Sequence, residues 1–234
     1  MLNLCVNPTI SGSDFIFGSK KPVNRKVVVL GDGACGKTSL LHVYIQGHFP
    51  QVYEPTVFEN HVQELVIDDQ IVEIAFWDTA GQEDFDRLRS LSYADTHVIM
   101  LCFSVDQPSS LANAESKWLD EIIEHCPGVK ICLVALKCDL RDDFKVQNEL
   151  SRQGLRPVEY EEGLATARRI RASRYLECSA KHNRGVREAF LEVAKVSINS
   201  KSTGFTRNSF KEKFNSQHKS STGTEQHQNN CLIS

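Results

Sequence analysis

Gly31-Asp32-Gly33-Ala34-Cys35-Gly36-Lys37-Thr38 is the stretch that decides the fold of this chain. The β-branched run at 25–30 just before it predicts a strand, and residues 39–46 just after it predict a helix. Strand, glycine-rich loop and helix in that order make a phosphate-binding loop of the pattern G-x-x-x-x-G-K-[ST]. Glycines let the backbone curl so that successive N–H groups point at phosphate oxygens, and the helix N-terminus adds its partial positive charge. In that frame Lys37 reaches the β- and γ-phosphates, and the Thr38 hydroxyl ligates Mg²⁺. The plain alternative, a glycine-rich turn capping a helix, is disfavoured by the strand and helix on either side.

Outward from the loop, strand-like runs at 26–30, 62–67, 71–77, 98–103, 131–136 and 175–178 alternate with helix-like runs at 39–46, 109–125, 159–172 and 185–196. Asp68-Asp69 between the second and third strands reads as a hairpin turn. The other alternations imply parallel strands joined by crossover helices, and several strands are apolar throughout, as in a sheet covered on both faces. Residues 1–24 read as a flexible leader, 25–198 as the folded domain, and 199–234 as a disordered tail too poor in apolar side chains to offset chain entropy.

The totals exclude several classes. The net charge of −3 gives no support to a nucleic-acid binder. The longest apolar runs are strand-sized, far below membrane-spanning length, and no secretory h-region is visible. Eight cysteines occur without a C-x-x-C pair or zinc spacing, which predicts a reducing, cytosolic setting. Cys102, Cys132 and Cys178 fall in apolar strand runs and are expected to be buried thiols.

Four further motifs follow in order. Thr56, in Tyr53-Glu54-Pro55-Thr56-Val57-Phe58, can add a second hydroxyl to Mg²⁺ only when a γ-phosphate is present, making a two-state loop; alone it would pass for a surface loop. Asp78-Thr79-Ala80-Gly81-Gln82 ends an apolar strand: Asp78 can hold Mg²⁺ through water, the Gly81 N–H can touch the γ-phosphate, and Gln82 can orient the attacking water. Lys137-Cys138-Asp139 follows another strand. The Asp139 carboxylate can accept from guanine N1–H and N2–H₂, a donor pair adenine lacks, while the Lys137 stem lies along the base and braces the phosphate loop. Ser179-Ala180-Lys181 can present the Ala180 N–H to guanine O6. The last two are weak in isolation and specific only in this order.

With these residues in place, the stretch from 25 to 196 resembles the Ras-superfamily small GTPases, and within them the Rho family. GDGACGKT at 31–38, the YxPTVFEN-type segment at 53–60 and WDTAGQEDFDRLR at 77–89 carry the resemblance. So does the extra stretch at 142–154, which fills the place of the Rho-type helical insert. ALKCDLR at 135–141 and the short leader carrying Cys5 resemble a fungal Rho branch of polarised growth and secretion.

The resemblance implies an α/β phosphate-loop small-GTPase fold: a six-stranded, mostly parallel sheet with one antiparallel edge strand, helices on both faces and the helical insert. It places Phe49 near the base edge and Tyr53 over the nucleotide. Tyr53, Glu54, Pro55, Thr56, Val57, Phe58, Glu59, Asn60 and His61 become the effector region. Phe85, Leu88 and Leu91 would line a second switch used by exchange factors and a dissociation inhibitor, core packing being the plain alternative. The implied partners also include an activating protein that supplies an arginine finger, and effectors of polarity, actin organisation and exocytosis, all acting on a monomer. Two positions depart from the family. Leu136 stands where relatives carry Asn or Thr, which predicts a looser nucleotide, and Glu54 occupies a usually apolar switch position.

Cys231-Leu232-Ile233-Ser234 is a C-a-a-X ending whose final Ser favours farnesyl. The resemblance implies removal of Leu232, Ile233 and Ser234 and methylation of Cys231. One lipid gives marginal membrane residence, and Lys201, Arg207, Lys211, Lys213 and Lys219 are too scattered for a strong basic patch. Palmitoylation of Cys5 is the expected second signal, placing the chain on the cytoplasmic face of the plasma membrane with a cytosolic pool. The sequence thus reads as a switch that hydrolyses GTP. One rival is a tethered nucleotide-dependent binding module with little turnover, supported only by Leu136. Another is a phosphate-loop ATPase or kinase, opposed by Asp139 and Ser179-Ala180-Lys181.

Overall fold

The computed structural model of the chain describes residues 21–52 and 56–202. Six strands form one sheet: β1 (Val23–Leu30), β2 (Phe58–Ile67), β3 (Gln70–Thr79), β4 (Val98–Ser104), β5 (Lys130–Leu136) and β6 (Arg174–Glu177). Their order is β2-β3-β1-β4-β5-β6. All neighbours are parallel except β2 and β3, so the sheet is mostly parallel with one antiparallel edge strand. Asp68 and Asp69 form the β2–β3 turn, both with positive φ (49° and 58°), the geometry that matches the twist of a two-residue hairpin.

The central strands feed two cores. Val27, Val29, Phe76, Met100 and Val134 point to one face, covered by α1 (Lys37–Gln46) and by α6 (Val186–Ile198). Val28, Leu30, Ile99, Leu101 and Leu133 point to the other, covered by α3 (108–125) and by α5 (Tyr160–Arg169). The alternation is the strand period of two. The described cysteines are all buried free thiols; burial pushes Cys132 and Cys178 up to about 12.

Some boundaries differ from the sequence reading. β2 begins at Phe58 rather than 62, because the edge strand continues polar residues along its pairing with β3 up to Thr79. The stretch read as one helix, 109–125, is α-helical at Pro108–Asn113, opens into a π turn at Ala114–Trp118 and returns to α at Leu119–His125. A helix α2 (Asp86–Ser90) follows the Asp78–Gln82 motif. A further helix, α4 (Phe144–Arg152), lies inside the 142–154 stretch and is capped by the Asp143 carboxylate on the Lys145 and Val146 amides. Helix α5 starts with a reciprocal capping box between Glu159 and Glu162.

Candidate functional site

The carboxyl end of β1 is where strand order reverses, with β3 on one side and β4 on the other, and such a switch point opens a crevice for ligands. The 31–38 loop leaves β1 into this crevice. Gly31 has φ 140°, and a Cβ there would stand 2.2 Å from the Cys102 carbonyl oxygen, so the sharp exit from the strand requires glycine. Gly36, left-handed at φ 108°, is the N-cap of α1 and delivers the helix N-terminus to the loop. Lys37 is buried, and its ammonium donates to the Gly31 and Asp32 carbonyls, both at 2.8 Å. The loop thus wraps its own lysine.

Thr38, Thr56 and Asp78 converge beside that lysine. The Thr38 and Thr56 hydroxyl oxygens are in hydrogen-bond contact, and Thr38 Oγ1 donates to Asp78 Oδ2 at 2.6 Å. Among the described residues Asp78 Oδ1 is buried without a hydrogen-bond partner, and burial raises the carboxyl pKa. An orphaned carboxylate oxygen beside two hydroxyls is an all-oxygen donor set suited to a hard divalent cation, so these residues fit Mg²⁺.

Gly81 touches the loop: a Cβ on it would lie 2.4 Å from the Gly31 oxygen and the Gly33 nitrogen, an approach that only glycine permits. Gln82 follows, exposed, with its Cγ 3.4 Å from where a Gly33 Cβ would be. Thr79 is anchored by its hydroxyl to the Val29 carbonyl at 2.8 Å, and Ala80 is buried. A cavity of about 600 Å³ runs past Gly33, Lys37, Thr38, Phe49, Thr56 and Gln82 to Lys137.

The second cluster is Asp139 with Ser179. The Ser179 hydroxyl donates to Asp139 Oδ1 at 2.5 Å and accepts from the His182 amide at 3.2 Å. Ala180 and Lys181 continue the turn that Ser179 starts with its bridge to Arg184. Lys137 connects the clusters. Its Cε would lie 3.7 Å from a Gly36 Cβ, and its ammonium pairs with Asp106 at 3.3 Å. Asp106 escaped the sequence reading; a carboxylate just after β4 was its only signal.

Leu136 is buried beneath the loop, its Cδ1 3.7 Å from that same Gly36 Cβ position. Leu136 and Cys35 of the phosphate loop share one apolar core cluster, so what Leu136 offers the loop is packing rather than a hydrogen bond. Asp32 is redirected as well. Its carbonyl serves Lys37, but its carboxylate turns away from the loop to accept from Trp118 Nε1 (2.7 Å) and Asn113 Nδ2 (2.8 Å). Arg89, also missed, is buried. It donates to the Ala80 carbonyl (2.9 Å), the Gln82 carbonyl (3.3 Å) and the Glu121 carboxylate (2.8 and 3.0 Å).

Around the mouth, Val57, Phe58, Leu88 and Leu91 are exposed apolar side chains, Phe85 is half-buried, and Phe58 meets Trp77 edge to face. Leu88 and Leu91 are thus surface residues rather than core. Glu59 pairs with His61 at 3.0 Å, and Asn60 lies opposite Trp77 in the ladder. Tyr53, Glu54, Pro55, Cys5, Cys231, Leu232, Ile233 and Ser234 lie outside the described residues.

The Ras family model matches residues 26–199. Over 192 residues the chain is 66% identical to "GTP-binding protein Rho3" of Schizophyllum commune, covering 82% of this chain and 93% of that protein. It is 60% identical over 183 residues to "GTP-binding protein rho3" of Schizosaccharomyces pombe, covering 78% and 87% respectively. To "Rho-related GTP-binding protein RhoB" of Homo sapiens it is 54% identical over 176 residues, or 75% of this chain and 90% of that one.

Proposed function

We propose a residue-level mechanism and a cellular setting for a chain that belongs to the Ras family and, within it, to the fungal Rho-type GTPases, which bind GTP and hydrolyse it. The observation that carries the mechanism is the convergence of Thr38, Thr56 and the orphaned Asp78 oxygen beside Lys37. Thr38 and Thr56 would hold Mg²⁺ by their hydroxyls and Asp78 would hold it through water; when bound, the ion would supply charge neutralisation on the phosphates. Lys37 binds the β- and γ-phosphate oxygens. The Gly81 N–H holds the γ-phosphate, and Gln82 orients the attacking water through its side-chain amide. Asp139 selects guanine, and Ala180 N–H meets the base oxygen.

Thr56 and Gly81 each engage only while a γ-phosphate is present, so hydrolysis releases both loops and the chain cycles between active and inactive states. Exchange factors, a dissociation inhibitor and effectors dock on the Val57, Phe58, Leu88 and Leu91 surface. An activating protein supplies an arginine, an addition of about 10³ to 10⁵ in rate for such sites. Farnesyl at Cys231 and palmitoyl at Cys5 hold the chain on the cytoplasmic face of the plasma membrane, where it signals to polarity, actin and secretion effectors.

Gln82→Leu tests the mechanism. In single-turnover assays on preloaded protein, hydrolysis falls at least about tenfold and the variant stays GTP-loaded after purification. Normal multiple turnover by this variant would sink the assignment. A slow wild type with intact GTP binding separates the switch from a binding module without turnover. Preference for GTP in competition with ATP separates it from an ATPase.

A further inference from the structure

Asp139 stands on a 3-10 turn, Cys138–Leu140, entered through Lys137 in the left-handed backbone region at φ 54°. That conformation is unfavourable for a residue with a side chain, so the turn needs support from outside. On the phosphate-loop side, Leu136 Cδ1 and Lys137 Cε each stand 3.7 Å from where a Gly36 Cβ would be. Polar support comes from β6 and the turn that follows it. The Cys138 amide donates to the Cys178 carbonyl at 3.2 Å. Arg141, one residue past the turn, grips Glu177 with both terminal nitrogens, at 2.9 and 2.7 Å. Its Nε donates to the Val158 carbonyl at 2.8 Å, and the Tyr175 hydroxyl donates to Glu177 Oε1 at 2.6 Å. Both side chains of the ion pair are only 17% exposed.

The placement is regular. Arg141 lies two residues after Asp139, and Glu177 lies two residues before Ser179. One contact, Arg141–Glu177, therefore runs alongside the other, Asp139–Ser179. A bidentate guanidinium–carboxylate fork fixes orientation as well as distance.

We propose that Arg141 and Glu177 are positioning residues for guanine selection, resting on the reading that Asp139 pairs with the base. The fork sets the separation of the two turns, so that Asp139 keeps Oδ1 on Ser179 and presents Oδ2 to the ring N–H and the exocyclic amine. Releasing the fork lets the 138–140 turn shift, and the carboxylate loses the amine before it loses general affinity. Sites built to hydrogen-bond a substrate N–H discriminate strongly against analogues lacking it, so selectivity reports this geometry more directly than affinity does.

The experiment compares GDP with inosine diphosphate, which lacks the 2-amino group, by measuring dissociation of each from the full-length protein. Wild type releases inosine diphosphate faster than GDP. In Glu177→Gln, GDP release accelerates about tenfold while inosine diphosphate release changes less, so the ratio between them shrinks. Arg141→Lys keeps the charge but not the fork, and shrinks the ratio in the same direction even where Glu177→Gln does not accumulate as folded protein. Equal acceleration for both nucleotides, or an unchanged ratio in Arg141→Lys, overturns the proposal, because loosened structure alone raises both rates together. A wild type that does not distinguish the two nucleotides overturns the Asp139 reading itself, and the two failures are therefore separable.

Discussion

Leu136 shows how one side chain can reach the function from beneath. It closes β5, faces the core and packs in the same cluster as Cys35 of the phosphate loop, its Cδ1 3.7 Å from where a Gly36 Cβ would stand. Leu136→Ala opens a cavity there and is expected to cost about 2–5 kcal/mol of stability while accelerating GDP release. Leu136→Asn places an amide within reach of the loop backbone and is expected to slow GDP release relative to wild type; equal or faster release would remove the argument that a polar tie at this position matters. His97 carries a second residue-scale prediction. Its Nδ1 accepts from the Lys26 amide at 3.1 Å, which requires the neutral ring, and burial together with Arg25 lowers its pKa. The unfolded chain then binds the proton first as pH falls. The stability this residue contributes is complete above the ordinary histidine range and is lost on acidification through the lowered folded value. Thermal melts from pH 7.5 down to 5 are expected to show a fall in Tm that is shallower in His97→Gln. At this scale the phosphate-loop residues were legible because they are contiguous. The destination of the Asp32 carboxylate was not, since Asn113 and Trp118 are 81 and 86 positions away and no local pattern joins them.

At the scale of elements, α3 does more than cover the sheet. Its π turn at Ala114–Trp118 adds a residue to the helix, and from this one helix Asn113 and Trp118 hold Asp32, Lys117 holds Glu83, and Glu121 holds Arg89. Phosphate loop and the segment after Asp78 are thereby fastened to the same rod. The turn was invisible beforehand because the apolar positions Leu111, Ala114, Trp118, Leu119 and Ile122 also suit a plain 3.6-residue period. The strands and the Asp68-Asp69 hairpin were legible for the opposite reason, their signals being local in sequence. Helix α2 is too short for a periodic signal. Arg89 is the test of the rod. Its removal leaves the half-buried Glu121 carboxylate without its cation and takes the donor from the Ala80 and Gln82 carbonyls. Arg89→Ala is expected to cost about 3–5 kcal/mol and to slow single-turnover GTP hydrolysis about tenfold. Arg89→Lys keeps the charge without the fork and should fall between. Hydrolysis at the wild-type rate in a destabilised Arg89→Ala would confine this residue to a structural role.

At the scale of the whole molecule, the two ends of the folded unit meet. Arg25 on β1 donates to the Ser197 carbonyl at 2.8 Å and to the Ile198 carbonyl at 3.1 Å, capping the last turn of α6 with a cation where the helix dipole is negative. The start of β1 and the end of α6 are therefore neighbours, while the carboxyl end of β1, about 25 Å away along an eight-residue strand, opens into the nucleotide site. Nothing in the composition showed that the two ends of the folded unit are neighbours; that follows from a contact spanning 172 positions. Proximity of the two ends makes the two-anchor reading physically economical. One lipid chain binds a membrane marginally and reversibly; a second lipid on the same molecule would re-insert at high effective concentration instead of diffusing from solution. Fractionation of cells expressing the full chain should therefore place wild type on membranes, shift Cys5→Ser substantially to the soluble fraction and shift Cys231→Ser almost completely. An unchanged membrane fraction for Cys5→Ser would leave Cys231 with a partner other than Cys5, and the geometry of the shared edge would then serve stability alone.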